Sequence, residues 1–161
     1  MSTSKVKVGI IGCGKISPAY FKGCSAFDIL DIVACADLDQ SRADARAAEF
    51  GVYACKSDEE LLAIPDIEIV VNLTWPKAHT EVDLMAIAAG KHVHSEKPLA
   101  ITRADGQRTL AAARAKGVLL GCAPDTFMGG GLQTCRKLID DGAIGRPVAA
   151  TAFFAGHGPE A

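Results

Sequence analysis

Three short stretches hold residues whose types and spacing can do chemistry. The first is Gly9-Ile10-Ile11-Gly12-Cys13-Gly14-Lys15-Ile16-Ser17. Its Gly12-x-Gly14-x-x-Ser17 spacing permits a tight turn at Gly12. It lets a phosphate approach the backbone at Gly14 with no Cβ in the way, and it puts a small residue at Ser17, where a helix must pack close to a strand. A helix opening there offers unpaired N–H groups and a partial positive charge to a pyrophosphate. Asp37 stands where the next apolar run stops. A carboxylate in that position accepts hydrogen bonds from ribose hydroxyls and repels a 2′-phosphate. The pair points to a dinucleotide, NAD before NADP. NADP stays open because Arg42 carries a guanidinium that can take a 2′-phosphate, although a solvated helix charge explains it as well.

The second stretch is Asn72-Leu73-Thr74-Trp75-Pro76-Lys77-Ala78-His79. An apolar run ends, the chain turns at Pro76, and a helix begins with His79 in its first turn. Thr74 lies at the strand's end, Trp75 and Pro76 can wall a flat ring, and His79 can point toward it. A histidine at a helix start also serves as a surface or capping residue. The third stretch is His94-Ser95-Glu96-Lys97-Pro98-Leu99. Opposite charges at the end of a buried-type strand are costly unless paired or used, and Pro98 keeps the chain from relaxing into helix. Lys97, held near a reactive ring, suits a proton shuttle or a clamp on a substrate oxygen. A salt-bridged lysine on a solvated loop is the alternative.

These stretches need elements to position them. Short apolar runs alternate with helical segments along the chain. Strands are expected at Val6–Ile11, Leu30–Ala36, Val52–Cys55, Ile67–Leu73, Lys91–Ser95 and Val118–Ala123, with a last β-type run at Pro147–Ala155. Helices are expected at Lys15–Ala26, Ser41–Phe50, from Ser57 into Leu62, at His79–Ala89, from Thr102 to Gly117, and at Gly131–Asp141. Continuous apolar strands alternating with helices predict an α/β fold, a doubly wound parallel sheet covered on both faces. Ligands then lie outside the carboxyl ends of the strands, where all three stretches fall. The boundary is expected near Ala123-Pro124, giving a nucleotide-binding domain at 1–123 and the start of an incomplete α+β domain at 124–161. The final run needs a partner to bury it, and Gly156-His157-Gly158-Pro159 is expected to stop it.

Composition bounds the function. The chain has 161 residues, 49% of them hydrophobic and 22% charged, with a net charge of −2. That is globular composition without the basic excess of a nucleic-acid binder. No apolar run approaches the ~20 residues of a membrane span, and the N-terminus lacks a secretory signal. The six cysteines form no C-x-x-C pair and sit mostly in apolar runs. They read as buried thiols of a cytoplasmic protein, and no metal is expected.

Gly12-Cys13-Gly14-Lys15-Ile16 with Asp37, then Thr74-Trp75-Pro76-Lys77-Ala78-His79, then Glu96-Lys97-Pro98, together resemble the glucose–fructose oxidoreductase, inositol dehydrogenase and MocA family. Leu138 to Val148, with its Ile144-Gly145-Arg146-Pro147 turn, is similar to the family's entry into its C-terminal domain. The resemblance implies a Rossmann domain and hydride transfer between a nicotinamide and a sugar, polyol or related secondary alcohol. It implies that Lys97 is catalytic and takes part in proton transfer. Glu96 and His79 would line the nicotinamide end, and Gly12, Gly14 and Ile16 the pyrophosphate. Family members are about twice this length, so the chain is expected to end inside the first strand of the substrate domain and to be inactive alone. That second domain usually supplies the oligomer face, so a homo-oligomer stays open. Two alternatives remain at this point: a non-catalytic nucleotide-binding or scaffold protein, and an S-adenosylmethionine-dependent methyltransferase.

Overall fold

The computed structural model describes residues 5–156. Two compact units divide after Pro124. The first unit carries six strands, β1 (Val6–Ile11), β2 (Leu30–Ala36), β3 (Tyr53–Ala54), β4 (Ile67–Asn72), β5 (His92–Ser95) and β6 (Leu120–Cys122). They form one sheet in the order β3-β2-β1-β4-β5-β6, and every neighbouring pair is parallel. Five helices connect them: α1 (Ser17–Ser25), α2 (Gln40–Phe50), α3 (Asp58–Leu62), α4 (Pro76–Ala88) and α5 (Arg103–Lys116). This is the doubly wound α/β sheet expected from the alternation. Its order reverses between β1 and β4, so the loops leaving those two strands bound the crevice where such sheets take ligands.

The core splits across the sheet. On one face Val8, Ile10, Cys35 and Val71 pack against Phe21 of α1 and Ala43 of α2. On the other, Ile11, Ala34, Val70 and Val93 pack against Leu61 of α3, Val82 and Ala86 of α4, and Ala113 of α5. Successive residues of β1 thus serve opposite faces, as strand geometry requires. Both faces are buried, which is why the strands read as continuous apolar runs.

Local chemistry sets the helix ends. Asp39, Ser57 and Thr102 cap α2, α3 and α5 with side-chain oxygens, and Gly51 and Gly117 close α2 and α5 in the left-handed region. Pro76 opens α4 ahead of His79, since a proline loses nothing at a position with no intrahelical N–H bond to make.

In the second unit a 3-10 turn at Thr126–Met128 leads to α6 (Gly130–Asp140). The β-type run expected at Pro147–Ala155 is not a strand: residues 147–156 make no sheet pairing. A β-run without a neighbour leaves its N–H and C=O groups unsatisfied, so apolar composition alone does not make one. The stop expected at His157-Gly158-Pro159 lies outside the described residues, as does the Met1–Ser4 start. Among the described residues no helix is long and apolar enough to cross a membrane.

Two glycines separate tolerance from intolerance. Gly12 has φ +99°, and a Cβ there would lie 2.6 Å from the carbonyl carbon of Leu73 and 2.8 Å from the nitrogen of Thr74. Gly23, inside α1, has open space around it. In urea unfolding, Gly12→Ala is expected to lose about 2–4 kcal/mol, combining strain with backbone overlap. Gly23→Ala is expected to gain about 0.5–1 kcal/mol from helix propensity.

Candidate dinucleotide site

The glycine loop is held from three sides. The N–H of Gly12 donates to the Ala36 carbonyl at 2.8 Å, continuing the β1–β2 pairing. The N–H of Cys13 donates to Asp37 Oδ2 at 2.7 Å. Ser17, fully buried, donates from Oγ to the Gly14 carbonyl at 2.8 Å and accepts from Arg46 Nε at 3.0 Å. A larger third residue would push α1 away from the loop and from α2. Gly14 itself has open space where a Cβ would stand.

Asp37 therefore faces the glycine turn. Its second oxygen accepts from Asp39 N–H at 2.8 Å. Arg42 reaches back to Asp39, with Nε 3.4 Å from Oδ2 and both side chains about half exposed. The hydroxyl of Ser41 hydrogen-bonds Asp39 and holds its carboxyl below the usual range, so it stays an anion beside Arg42. Lys15 and Ile16 are exposed on the loop. Cys13 is buried. Its thiol donates to the Ala36 carbonyl at 3.6 Å, and the neighbouring Cys35 thiol and burial push it up, which makes it a packing residue and not a nucleophile.

The N-terminus of α1 is open: Ile16 occupies its cap position with no side-chain hydrogen bond. Trp75 leaves α4 equally uncapped. α1 and α4 follow β1 and β4, so both uncapped ends border the crevice, whereas α2, α3 and α5 are capped internally. In α1 the Ser17 and Ala19 N–H groups bond to the Gly14 and Ile16 carbonyls and Pro18 has none, so what this end offers an anion is the positive end of the helix dipole and the loop backbone just before it.

Glu96 and Lys97 leave β5 on the same edge. Glu96 is not paired with the Lys97 ammonium. Its Oε1 accepts from the Tyr20 hydroxyl at 2.9 Å, and its Oε2 accepts from the Lys97 N–H at 2.6 Å. The ammonium of Lys97 is exposed and has no salt-bridge partner among the described residues. Tyr20 is not among the residues that the sequence marks out for a site. No signal in the chain links it to a glutamate 76 positions away.

Thr74 and His79 are committed to a buried network. Asn72 Oδ1 accepts from Thr74 N at 3.1 Å and from Thr74 Oγ1 at 2.7 Å. Asn72 Nδ2 donates to Asp83 Oδ1 at 2.7 Å and to the His79 carbonyl at 3.1 Å. The His79 ring is 1% exposed, while Trp75 is 78% exposed. The structure thus bonds Asp37 to the Gly12–Gly14 turn through the Cys13 N–H. It sets Thr74, Trp75, Glu96 and Lys97 on the same sheet edge, and it turns Arg42 toward Asp39.

With this geometry in place, known proteins resolve its class. Residues 6–123 match the Gfo/Idh/MocA oxidoreductase family, described by its NAD-binding Rossmann fold, and the chain belongs to that family. It is 36% identical over 152 residues to a 1,5-anhydro-D-fructose reductase from Ensifer adhaerens, covering 94% of this chain and 46% of that one. It is 35% identical over 151 residues to an inositol 2-dehydrogenase from Ralstonia nicotianae, covering 89% and 44%. Among solved structures it is similar to the WlbA dehydrogenase from Bordetella pertussis in complex with NADH and UDP-GlcNAcA, with a TM-score of 0.85, 28% identity, and coverage of 91% and 42%. It is also similar to KijD10, a 3-ketoreductase from Actinomadura kijaniata in complex with NADP, with a TM-score of 0.83, 29% identity, and coverage of 88% and 46%. The chain spans a little under half the length of the curated relatives it matches. Family membership decides against the methyltransferase alternative.

Burial gives the network a pH signature. Asp83 is fully buried, and desolvation pushes its carboxyl up against smaller opposing effects of Asn72, Ser95 and His79. Among the described residues, Asp83 Oδ2 and Ser95 Oγ are the buried side-chain oxygens with no hydrogen-bond partner. The folded protein holds the Asp83 proton at pH values where the unfolded chain has lost it. This contribution to stability therefore falls as pH rises from the usual carboxylate range toward the folded value. Thermal melts of wild type and Asp83→Asn from acid to neutral pH are expected to shift steadily in favour of the variant. A constant gap would contradict a buried titration.

Proposed function

We propose that this chain is the cofactor-binding part of an NAD-dependent dehydrogenase acting on a sugar, polyol or related secondary alcohol. The observation that carries the reading is the convergence of an open glycine turn, an uncapped α1, Asp37 and Lys97 on one sheet edge at the β1–β4 crevice. When bound, the nicotinamide supplies a hydride acceptor or donor. Everything else falls to the protein. Gly12 and Cys13, whose N–H groups are held by Ala36 and Asp37, shape the turn, and Gly14, Lys15 and Ile16 offer their backbone to the pyrophosphate. Asp37, fixed by Cys13 and Asp39, accepts from the ribose hydroxyls. Thr74, Trp75 and Glu96 bound the nicotinamide end. Lys97 is the catalytic residue. Its free ammonium donates a hydrogen bond to the reacting oxygen and exchanges a proton with it as the carbonyl and hydroxyl interconvert.

NAD is preferred to NADP for two reasons. Asp37 repels a 2′-phosphate, and Arg42, the nearest guanidinium in sequence, is engaged by Asp39. The sugar or polyol substrate and any homo-oligomer contact fall to the rest of the polypeptide. We also place the protein in the cytoplasm, on the strength of its six free thiols.

Calorimetric titration tests the reading. NADH is expected to bind more tightly than NADPH, and failure of both at millimolar concentration would refute a dinucleotide site. Gly14→Ala is expected to fold as wild type, because its Cβ meets no protein atom, and to lose about tenfold or more in NADH affinity. Asp37→Ala should weaken NADH more than NADPH; equal losses would contradict the ribose assignment.

A further inference from the structure

We propose that His79 is a positioning residue, a strut between the loops that leave β4 and β5, which holds the Lys97–Pro98 corner against the Thr74 corner. Its place at the nicotinamide end rests on the function proposed above. The His79 ring is buried, so it acts through the backbone it holds and not by touching a ligand. Nδ1 lies 2.7 Å from the Pro98 carbonyl oxygen, and Nε2 lies 2.9 Å from the Thr74 carbonyl oxygen. Carbonyls only accept, so a bond to either one needs a ring N–H. A neutral ring has one to give and a protonated ring two, and the titratable group nearest along α4 is Asp83, whose carboxyl burial pushes up.

The strut matters because the β5 loop has little else to hold it. Sheet pairing ties the strand only as far as Glu96, whose N–H donates to the Asn72 carbonyl at 2.8 Å. Beyond that point the Lys97 N–H is bonded within the loop, to the Glu96 carboxylate. Among the described residues, the one hydrogen bond that joins Lys97–Pro98 to another element is the bond from His79 to Pro98. The opposite anchor is rigid. Asn72 fills both its donors and its acceptor on Thr74, His79 and Asp83. His79 thus transmits the fixed geometry of the β4 end to the loop that carries Lys97, and a catalytic group misplaced by a fraction of an ångström loses much of its effect.

The test compares NADH with ADP-ribose, which lacks the nicotinamide, by calorimetry on the 161-residue chain. In His79→Ala, NADH affinity is expected to fall about tenfold while ADP-ribose affinity changes by less than about twofold. Equal loss of both ligands, or loss of neither, would overturn the positioning role. Should the variant not fold, the wild-type chain labelled with ¹⁵N-histidine decides. His79 ring N–H signals are expected to persist in slow exchange with water, and exchange as fast as in free histidine would overturn the strut. Wild type binding neither ligand would instead sink the nucleotide reading itself, a pattern distinct from selective failure of the variant.

Discussion

Gly12 and Leu73 meet where no side chain fits between them. The turn after β1 passes so close to the backbone leaving β4 that a single added carbon would overlap Leu73 and Thr74, and the positive φ of Gly12 makes that passage possible. The crevice depends on this contact. β1 and β4 are neighbours, yet their helices go to opposite faces of the sheet: α1 packs with the Val8–Ile10 side and α4 with the Ile11–Val70 side. The loops therefore diverge from a common point of contact and leave an opening bordered by two uncapped helix ends. A side chain at Gly12 would force the β1 and β4 backbones apart at the floor of that opening.

Around that contact the rim is built from polar groups that serve one another before they serve any ligand. Asp37 holds the glycine loop, Tyr20 holds Glu96, Asn72 holds Thr74, and His79 holds Pro98. In a low-dielectric interior such bonds are strong and an unfilled one is costly, so a satisfied network fixes its members in one arrangement. Asp83 Oδ2 and Ser95 Oγ are the exceptions. They sit beneath the ends of β4 and β5, and the raised Asp83 carboxyl is how the fold accommodates them. Lys97 is the counterpoint: with its glutamate neighbour engaged by Tyr20, its ammonium is left free at the edge.

Much of this was legible in the chain because it depends on neighbours in sequence. Apolar runs bounded by glycine or aspartate marked all six strands, and the Ser57 and Thr102 caps follow from a hydroxyl placed three residues before an acid, Glu60 and Asp105. Asp37 was found because its distance from the glycine loop is fixed by one strand–helix–strand unit. Periodicity failed at Pro147–Ala155, where apolar composition has no adjacent strand to pair with.

The sequence by itself determined the sheet, its helices and the residue types gathered at the carboxyl edge, since these follow from side-chain period, capping chemistry and glycine's lack of a Cβ. Tertiary structure alone decided which of those residues face outward and which face one another. It turned Arg42 to Asp39, buried His79 between two carbonyls, and brought Tyr20 to Glu96. Hydrogen bonds between elements depend on crossover geometry and on distances of a few tenths of an ångström, and no local pattern in a chain encodes these.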